Sequence, residues 1–321
     1  MKRALILFFL LYATLTSLAL AKGEAPFLQV LPWNGHKAAA SLTFDDGCPS
    51  QLDVAVPELN QRGIKATFYL IANRITRKDE WRHLLVQGHE IGNHTLDHKH
   101  ASELTSNDAE SQVLGAHHVL QKEFGVQVKT FAYPYSEITP ELKSQVGKCY
   151  WLARGGGEKW VSTAGEQVDW LNVPCRKVMA KTKFQDCKKW MEKGLKTGGW
   201  VLWAFKGLEP DEPGNEPVSR ENFGKMLDHL QKNDFWLATF NEVGTYWRAQ
   251  KIFEKAKRAG DSWTWEVPKD LPVNLLLKVR ATKKAAFEIW QGRQKITADQ
   301  NGVFPVNFTL GELTLRSLPN P

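Results

Sequence analysis

Short apolar runs alternate with amphipathic stretches over most of the chain. The apolar runs have the length of buried strands, and they occupy residues 38–44, 66–71, 90–92, 130–133, 149–153, 172–174, 200–205 and 235–239. Helical periodicity fills the intervals, at residues 51–62, 77–87, 105–125, 139–148, 183–196, 220–233 and after residue 241. This alternation predicts parallel strands covered by helices, arranged as an open doubly wound sheet or as a barrel.

Several predicted helix ends carry capping signals. Thr105 is followed three residues later by Asp108, and Gly125 stands where that helix should stop. Pro140 occupies the first position of the next helix, and Asn241 is the expected cap of the closing helix.

The pattern changes near residue 260. Four short alternating runs follow, at 275–277, 286–290, 303–308 and 313–318, and turn signals such as Asn301-Gly302 separate them. We therefore expect a small all-β C-terminal domain at 260–321. It serves either as a glycan-binding module or as a packing appendage, and the second is favoured because so short a unit needs neighbours for stability.

The first residues have the layout of a secretory signal peptide. Lys2 and Arg3 precede an apolar run over residues 4–20, and Ala19 and Ala21 provide a small-x-small cleavage site. The alternative is an uncleaved membrane anchor, since the run is just long enough to span a bilayer. We predict a signal peptide at 1–21, an N-terminal segment at 22–36, no membrane span after cleavage, and a secreted, periplasmic or cell-envelope location.

Charge and cysteine content narrow the classes of partner. The formal net charge of +7 falls to +5 when Lys2 and Arg3 leave with the signal, which suits an anionic wall polymer or simple solubility. No arginine-rich tract or glycine-rich phosphate fingerprint indicates nucleic-acid or nucleotide binding. Export permits disulfides, and Cys149–Cys175 is the favoured pair, with free thiols as the alternative; the other cysteines are Cys48 and Cys187.

Chemistry-bearing side chains follow several of the predicted strands. Because active sites of barrels and doubly wound sheets lie at the carboxyl ends of strands, these side chains should converge. They are Asp45, Asp46, His94, His98, Tyr133, Tyr135, Arg154 and Lys206.

These side chains, which include two histidines and two aspartates, favour a metal-binding site. His94 and His98 are four residues apart, a spacing that places both rings on one side of a helical turn. With Asp46 as a third ligand they would form a site with open positions for water and substrate. Asp45 would then remain free to act as a general base.

Two motifs carry a family resemblance. Thr43-Phe44-Asp45-Asp46-Gly47 followed by a His-Thr-x-x-His motif at 94–98 resembles the NodB-homology polysaccharide deacetylases, carbohydrate esterase family four, over roughly residues 37–247. The resemblance implies a distorted (β/α) barrel at 37–259 and a divalent metal, usually zinc. It also implies removal of N-acetyl, sometimes O-acetyl, groups from chitin-like chains, peptidoglycan or other glycans.

The resemblance also implies roles for individual residues. Asp46, His94 and His98 match the metal ligands, and Asp45 matches the catalytic base. Residues 131–135 lie where the family has its R-x-P-Y segment, so the backbone N–H of Tyr135 is expected to stabilise the oxyanion. Tyr133 of this segment is expected to support the base or the substrate.

Two positions depart from the family pattern. Ala132 stands where an arginine often steadies the base, and Arg154 or Arg176 could supply that charge instead. Lys206 stands where a histidine usually protonates the leaving amine. Partial burial beside a cation would lower the pKa of Lys206, so it is the candidate general acid.

The resulting prediction is a metal-dependent hydrolase that removes N-acetyl groups from an extracellular or cell-envelope polysaccharide. A non-catalytic glycan-binding protein of the same fold and a carbohydrate O-acetyl esterase are the alternatives. The tryptophans near the glycine-bearing loop, Trp160 and Trp170, are expected to pack internally rather than to stack on sugars.

Overall fold

The computed structural model describes residues 28–157, 161–162, 168–282 and 287–317. The predicted signal peptide at 1–21 and Trp160 lie outside these residues. Within them, the α-helices are α1 Val56–Gln61, α2 Lys78–Val86, α3 Ser106–Glu110, α4 Ala116–Phe124, α5 Pro140–Cys149, α6 Phe184–Thr197, α7 Arg220–Lys232 and α8 Phe240–Phe253. No helix in this described part is long and apolar enough to cross a membrane.

The strands fall into a parallel-rich group and a C-terminal group. The first comprises β1 Leu28–Val30, β2 Ala38–Asp45, β3 Thr67–Leu70, β4 Glu90–Asn93, β5 Thr130–Ala132, β6 Leu152–Arg154, β7 Val161–Ser162, β8 Arg176–Lys177, β9 Gly199–Phe205 and β10 Phe235–Leu237. The second comprises β11 Lys257–Ala259, β12 Ser262–Thr264, β13 Leu276–Ala281, β14 Phe287–Gln291, β15 Gln294–Ile296, β16 Val303–Asn307 and β17 Glu312–Ser317.

The central sheet runs in the order β6-β5-β4-β3-β2-β9-β7, and its pairings are parallel except for β7 with β9. Strand β2 pairs along one edge with β9, while β10 and β3 pair with its early and late residues respectively. Because β9 occupies one edge of β2, β10 and β3 share the other edge, and the sheet branches at β2. The predicted distorted (β/α) barrel, followed by additional all-β strands, is thus confirmed.

Strand β2 is buried along nearly its whole length, as expected for a parallel strand covered on both faces. Its alternate residues enter two apolar clusters. Leu42 and Phe44 pack in the larger cluster, where the Phe44 ring stacks between Phe68 and Phe205. Ala39 faces the second cluster, which contains Trp200. This packing on both faces fixes the position of Asp45 at the end of the strand.

The C-terminal strands form two antiparallel sheets, one in the order β11-β12-β17-β14-β15 and one in the order β1-β13-β16. Strand β1, which precedes the central sheet in sequence, therefore pairs with β13 from the far end of the chain. A third apolar cluster joins these strands to α8 through Tyr246 and Phe253.

The structure corrects three local predictions. Residues 149–153 are not one strand, because α5 continues to Cys149 and β6 begins at Leu152. The run 172–174 contributes only an isolated bridge between Val173 and Arg154. Thr239, not Asn241, caps the closing helix, through a capping box with Glu242.

All four cysteines are free thiols, so the favoured Cys149–Cys175 pairing is wrong. Cys149 ends a helix, whereas Cys175 is buried beside Arg154, whose Nη1 donates to its sulfur over 3.2 Å. Cys175 thus supports a charged side chain rather than a crosslink.

Candidate active site

The two adjacent carboxylates Asp45 and Asp46 leave the end of β2 in different conformations. Asp45 is the last residue of the strand and pairs in register with Tyr69 of β3. Asp46 has a positive φ of 73°, and its N–H donates to the Tyr69 carbonyl over 3.1 Å. This left-handed residue ends the strand pairing, and strained backbone of this kind often occurs at functional sites.

His94 and His98 do not lie on a helical turn, contrary to the prediction from their spacing. His94 directly follows β4, and both Thr95 and His98 have positive φ angles. The Oγ1 of Thr95 accepts the His98 N–H over 3.0 Å, and Asn93 Oδ1 accepts the Thr95 N–H over 2.7 Å. Side-chain hydrogen bonds within this turn therefore bring the two rings together.

The three predicted ligand side chains converge on one point. Asp46 Oδ1 lies 3.3 Å from the Nε2 of His94 and 3.3 Å from the Nε2 of His98. The three ligand atoms lie within 4.8 Å of one another. Asp46 Oδ1 is buried and has no hydrogen-bond partner among the described residues, so its lone pairs are left for another group.

The tautomer of His94 follows from its other nitrogen. Nδ1 lies 2.8 Å from the carbonyl oxygen of Ala132, which can only accept, so Nδ1 carries the proton. Nε2 therefore presents a lone pair toward Asp46. A backbone carbonyl behind a ligating imidazole is the usual support of a metal-binding histidine. Two imidazole nitrogens and one carboxylate oxygen fit a divalent cation.

Local electrostatics keep this donor set in the required protonation state. Burial by itself would raise the pKa of Asp46, but the neighbouring His94, His98 and Lys206 side chains hold that pKa well below its ordinary value. Burial, with the neighbouring His94, lowers the pKa of His98 to about 4. At neutral pH the Asp46 carboxylate is therefore ionised and the His98 ring is neutral.

Arg154 supplies the charge that Ala132 lacks. Its Nη2 donates to Asp45 Oδ1 over 2.5 Å, and its side chain is 1% exposed. The guanidinium lies 5.2 Å from the centre of the Tyr69 ring. Burial alone would lower the pKa of Arg154, but the Asp45 charge outweighs it and keeps the group ionised. The arginine thus reaches Asp45 from β6, the strand next to β5, where it pairs in register with Ala132, the position at which the family often has an arginine.

Arg176, the other candidate, is not brought to this cavity. Its guanidinium lies over the Trp190 ring of α6, at 4.7 Å from the ring centre. The next residue, Lys177, lines the cavity instead, and its Nζ donates to the carbonyl of Tyr135 over 3.3 Å.

Lys206 contacts the same carboxylate as the two histidines. Its Nζ lies 3.0 Å from Asp46 Oδ2. Burial lowers the pKa of Lys206, but the Asp46 carboxylate outweighs burial, and the pKa is raised. This direction is opposite to the one expected from sequence, because a fixed anion lies in direct contact with the ammonium group.

A cavity of about 150 Å³ opens over these groups. Asp45, Asp46, His94, His98, Tyr133, Tyr135 and Lys206 all line it. Tyr135 has a φ of 56° and is 46% exposed, and its ring stacks face to face on His100 at 3.7 Å. The cavity therefore has a rigid floor of charged groups and an aromatic rim.

Sequence reasoning missed several residues that build this site. Glu216 lines the cavity, as Lys177 does. Gln51 Nε2 donates to the carbonyls of Asp45 and Lys206, over 2.5 and 2.9 Å, and so links two strand ends. Asn93 is fully buried beneath the histidine turn. No local pattern marks these side chains, because their partners are distant in sequence.

Comparison with known proteins identifies a family model and several proteins to which this chain is similar. The family model described as Polysaccharide deacetylase matches residues 34–150. Over 113 residues the chain is 32% identical to the Peptidoglycan-N-acetylglucosamine deacetylase of Bacillus cereus, covering 33% of this chain and 39% of that protein. Over 105 residues it is 36% identical to the Chitooligosaccharide deacetylase of Sinorhizobium fredii, covering 30% of this chain and 47% of that protein.

Among solved structures, the Bc1960 peptidoglycan N-acetylglucosamine deacetylase matches with a TM-score of 0.48 and 22% identity, over 67% of this chain and 91% of that chain. The chain spans less than half the length of the two curated relatives. The resemblance carried by the two sequence motifs is confirmed by the family model. Residues 34–150 of this chain are thus similar to the polysaccharide deacetylase family.

Proposed function

We propose that this protein is a metal-dependent hydrolase that removes N-acetyl groups from an extracellular or cell-envelope polysaccharide. One observation carries the proposal: the buried Asp46 Oδ1, which lacks a hydrogen-bond partner among the described residues, faces two imidazole nitrogens at 3.3 Å each. Ligand atoms in this arrangement suit Zn²⁺, whose sites combine imidazole and carboxylate ligands. When bound, such an ion would polarise the acetyl carbonyl and an attacking water.

The remaining groups are assigned by their contacts. Asp45 is the proposed general base. Its carboxylate is adjacent to the proposed metal ligand Asp46, but it accepts a hydrogen bond from Arg154 and does not belong to the ligand set. Arg154 acts as a positioning residue, since its buried guanidinium holds one Asp45 oxygen and leaves the other for a proton from water. The Tyr135 backbone N–H is the proposed donor to the oxyanion.

Lys206 is the proposed general acid for the departing amine. Its ammonium lies in the cavity and stays protonated at neutral pH, as a proton donor requires. The ion pair with Asp46 holds its position, although it also competes with a cation for that carboxylate.

The substrate class follows from the relatives. The two curated relatives are named for deacetylation of peptidoglycan N-acetylglucosamine and of chitooligosaccharides. An N-acetylated glycan is accordingly the proposed substrate, and an envelope or secreted location is consistent with it.

Acetate release tests the proposal. The full chain is incubated with N-acetyl chitooligosaccharides and with peptidoglycan, before and after removal of metal by a chelator, and then with Zn²⁺ restored. We expect release that the chelator abolishes and Zn²⁺ restores, and no release by a His94→Ala variant. Unchanged release after chelation, or by His94→Ala, would contradict the metal assignment.

A matched pair of arginine variants tests the assignment of the base. Arg154→Gln should lower kcat strongly because Asp45 loses its partner, whereas Arg176→Gln, whose side chain packs on Trp190 and does not line the cavity, should retain most activity. The opposite ranking would overturn the assignment of Arg154.

One observation favours a second candidate, a carbohydrate O-acetyl esterase. Lys206 replaces the usual histidine and is held by Asp46 at 3.0 Å, and an ester needs less help from an acid because an alkoxide leaves more readily than an amide nitrogen. Release of acetate from O-acetylated glycans alone would support this candidate. Glycan binding without release from either substrate would instead indicate a non-catalytic protein.

A further inference from the structure

A second cavity, separate from the candidate active site, lies between α8 and the C-terminal strands. Its volume is about 570 Å³, and it shares no lining residue with the Asp46 cavity. Trp170, Ile252 and Trp265 contribute its apolar surface. We call this cavity the junction groove.

The junction groove is bordered by four basic side chains. Arg248 and Lys251 lie three residues apart near the end of α8, Lys255 follows in the turn after this helix, and Lys257 comes from β11. Glu266 is the one acidic side chain among its described lining residues. The groove therefore carries a clear excess of positive charge.

Two of the four cations are left without an acidic partner. Arg248 pairs with Asp270 at 2.6 Å, and Lys251 lies 3.4 Å from Glu254. Lys255 and Lys257 are exposed, and neither forms an ion pair with a described residue. The helix dipole accounts for a preference for cations at the end of α8, but it does not account for Lys257 on a separate strand.

The apolar side of the groove is rigid before any ligand binds. Trp265 donates its indole N–H to the Phe308 carbonyl over 2.8 Å and stacks on the Phe308 ring. Trp170 packs edge-on against Trp247, with ring centres 4.9 Å apart. Binding here would therefore order few side chains, which lowers its entropic cost.

We propose that the junction groove binds a segment of an acidic polysaccharide, a chain of pyranose rings that bear carboxylates. Such rings have apolar C–H faces for Trp170, Ile252 and Trp265, and their carboxylates complement Lys255 and Lys257. Single-stranded nucleic acid is the weaker fit, because its bases need a series of aromatic faces for stacking, whereas the C–H face of a pyranose also packs against an aliphatic side chain such as Ile252. The groove would hold a polymer at a second point on the protein, independently of any acetate release.

The test uses a ligand whose charge can be removed without changing its backbone. The full chain is titrated calorimetrically at low ionic strength with a galacturonic acid hexamer and with its methyl-esterified form. We expect binding of the acid and loss of binding on esterification. No binding of the acid, or equal binding of the ester, would overturn the proposal.

Paired variants locate the site. The double variant Lys255→Gln/Lys257→Gln should weaken binding about tenfold, whereas Lys196→Gln/Lys232→Gln, with the same loss of charge on α6 and α7, should bind like the wild type. Equal weakening by both pairs would mean diffuse attraction and would contradict a site in the groove. A single-stranded DNA hexamer that binds as tightly as the acid and competes with it would likewise contradict the glycan assignment.

Discussion

Lys206 is the residue on which the chemistry of the candidate site depends most. It stands in the position of a histidine, and its ammonium contacts Asp46 at 3.0 Å rather than standing free over the cavity. The contact raises the pKa of Lys206. The ammonium group therefore stays positively charged and releases its proton less readily. In the proposed reaction the same side chain would thus stabilise the Asp46 carboxylate and limit the rate of amide cleavage.

Replacement of Lys206 by alanine should lower kcat for N-acetyl glycans by about 100-fold, the low end of the range for general acid catalysis. Hydrolysis of O-acetyl esters should fall less, because its leaving group needs less protonation. Steady-state kinetics on both substrates, with metal content measured in parallel, provides the comparison. Lys177→Ala is the matched control, since that lysine lines the same cavity but donates to a backbone carbonyl. Full kcat in Lys206→Ala would refute the general-acid assignment.

At the scale of elements, strand β4 links packing to the site. Gly92 lies against the Tyr69 ring of β3, and the ring in turn lies beneath the Arg154 guanidinium. The next residues along β4 lead into the histidine turn through Asn93. A side chain at residue 92 would therefore disturb the support of both the proposed base, Asp45, and the proposed metal ligands.

Gly92→Ala should destabilise the protein by about 1–3 kcal/mol, the usual cost of overpacking. A Cβ at this position would lie 2.3 Å from Tyr69 Cε1, and a ring buried on all sides has little room to move. Urea unfolding provides the measurement. Gly224→Ala on α7 is the control, since its Cβ would meet nothing closer than 3.9 Å and alanine favours a helix by roughly 0.5–1 kcal/mol. Equal stability of Gly92→Ala and wild type would show that Tyr69 is free to shift.

At the scale of the whole molecule, the fold depends on contacts between distant parts of the chain. The β2 strand pairs with β9 along six residues, about 160 positions away, and β1 completes a sheet with β13.

His89 is one of the buried side chains that tie neighbouring strands together. Its Nδ1 accepts the Ala66 N–H over 3.1 Å, so its Nε2 carries the proton and donates to Asn60 Oδ1 over 3.0 Å.

Protonation of His89 should destabilise the folded protein. Burial, with the charge of Lys65, lowers the pKa of His89 from 6.5 to about 4, since a charged ring could no longer accept the Ala66 N–H. The unfolded chain binds this proton from about pH 6.5 downward and the folded chain only near pH 4, so stability falls with pH between these values, by about 3 kcal/mol.

Urea unfolding across that pH range should show a shallower loss of stability for His89→Gln than for the wild type. The carboxylates that titrate in the same range are common to both proteins and drop out of the difference. Parallel curves for the two proteins would mean that His89 does not carry this dependence.

Sequence by itself determined the class of fold and the side chains that form the candidate metal site. Apolar periodicity depends only on residues that are close in sequence. It predicted the alternation of strands and helices, because a strand buried on both faces and a helix buried on one face leave different patterns of apolar residues. The Asp45-Asp46 motif and the motif that contains His94 and His98 are each short stretches of sequence, so local patterns were enough to identify them. The ends of several elements, such as Thr105 and Gly125 of the α3–α4 segment, were predictable for the same reason.

The tertiary structure decided the features that depend on strand register and on the distances between side chains. It brought Arg154 rather than Arg176 to Asp45, because strand pairing fixes which neighbour reaches the cavity. It left Cys149 and Cys175 unpaired by extending a helix through one of them. It replaced the helical turn expected for His94 and His98 with a strained loop, and it reversed the expected direction of the Lys206 pKa by placing an anion against it. The Arg154–Asp45 and Lys206–Asp46 contacts join residues more than 100 positions apart, and local patterns do not encode such contacts.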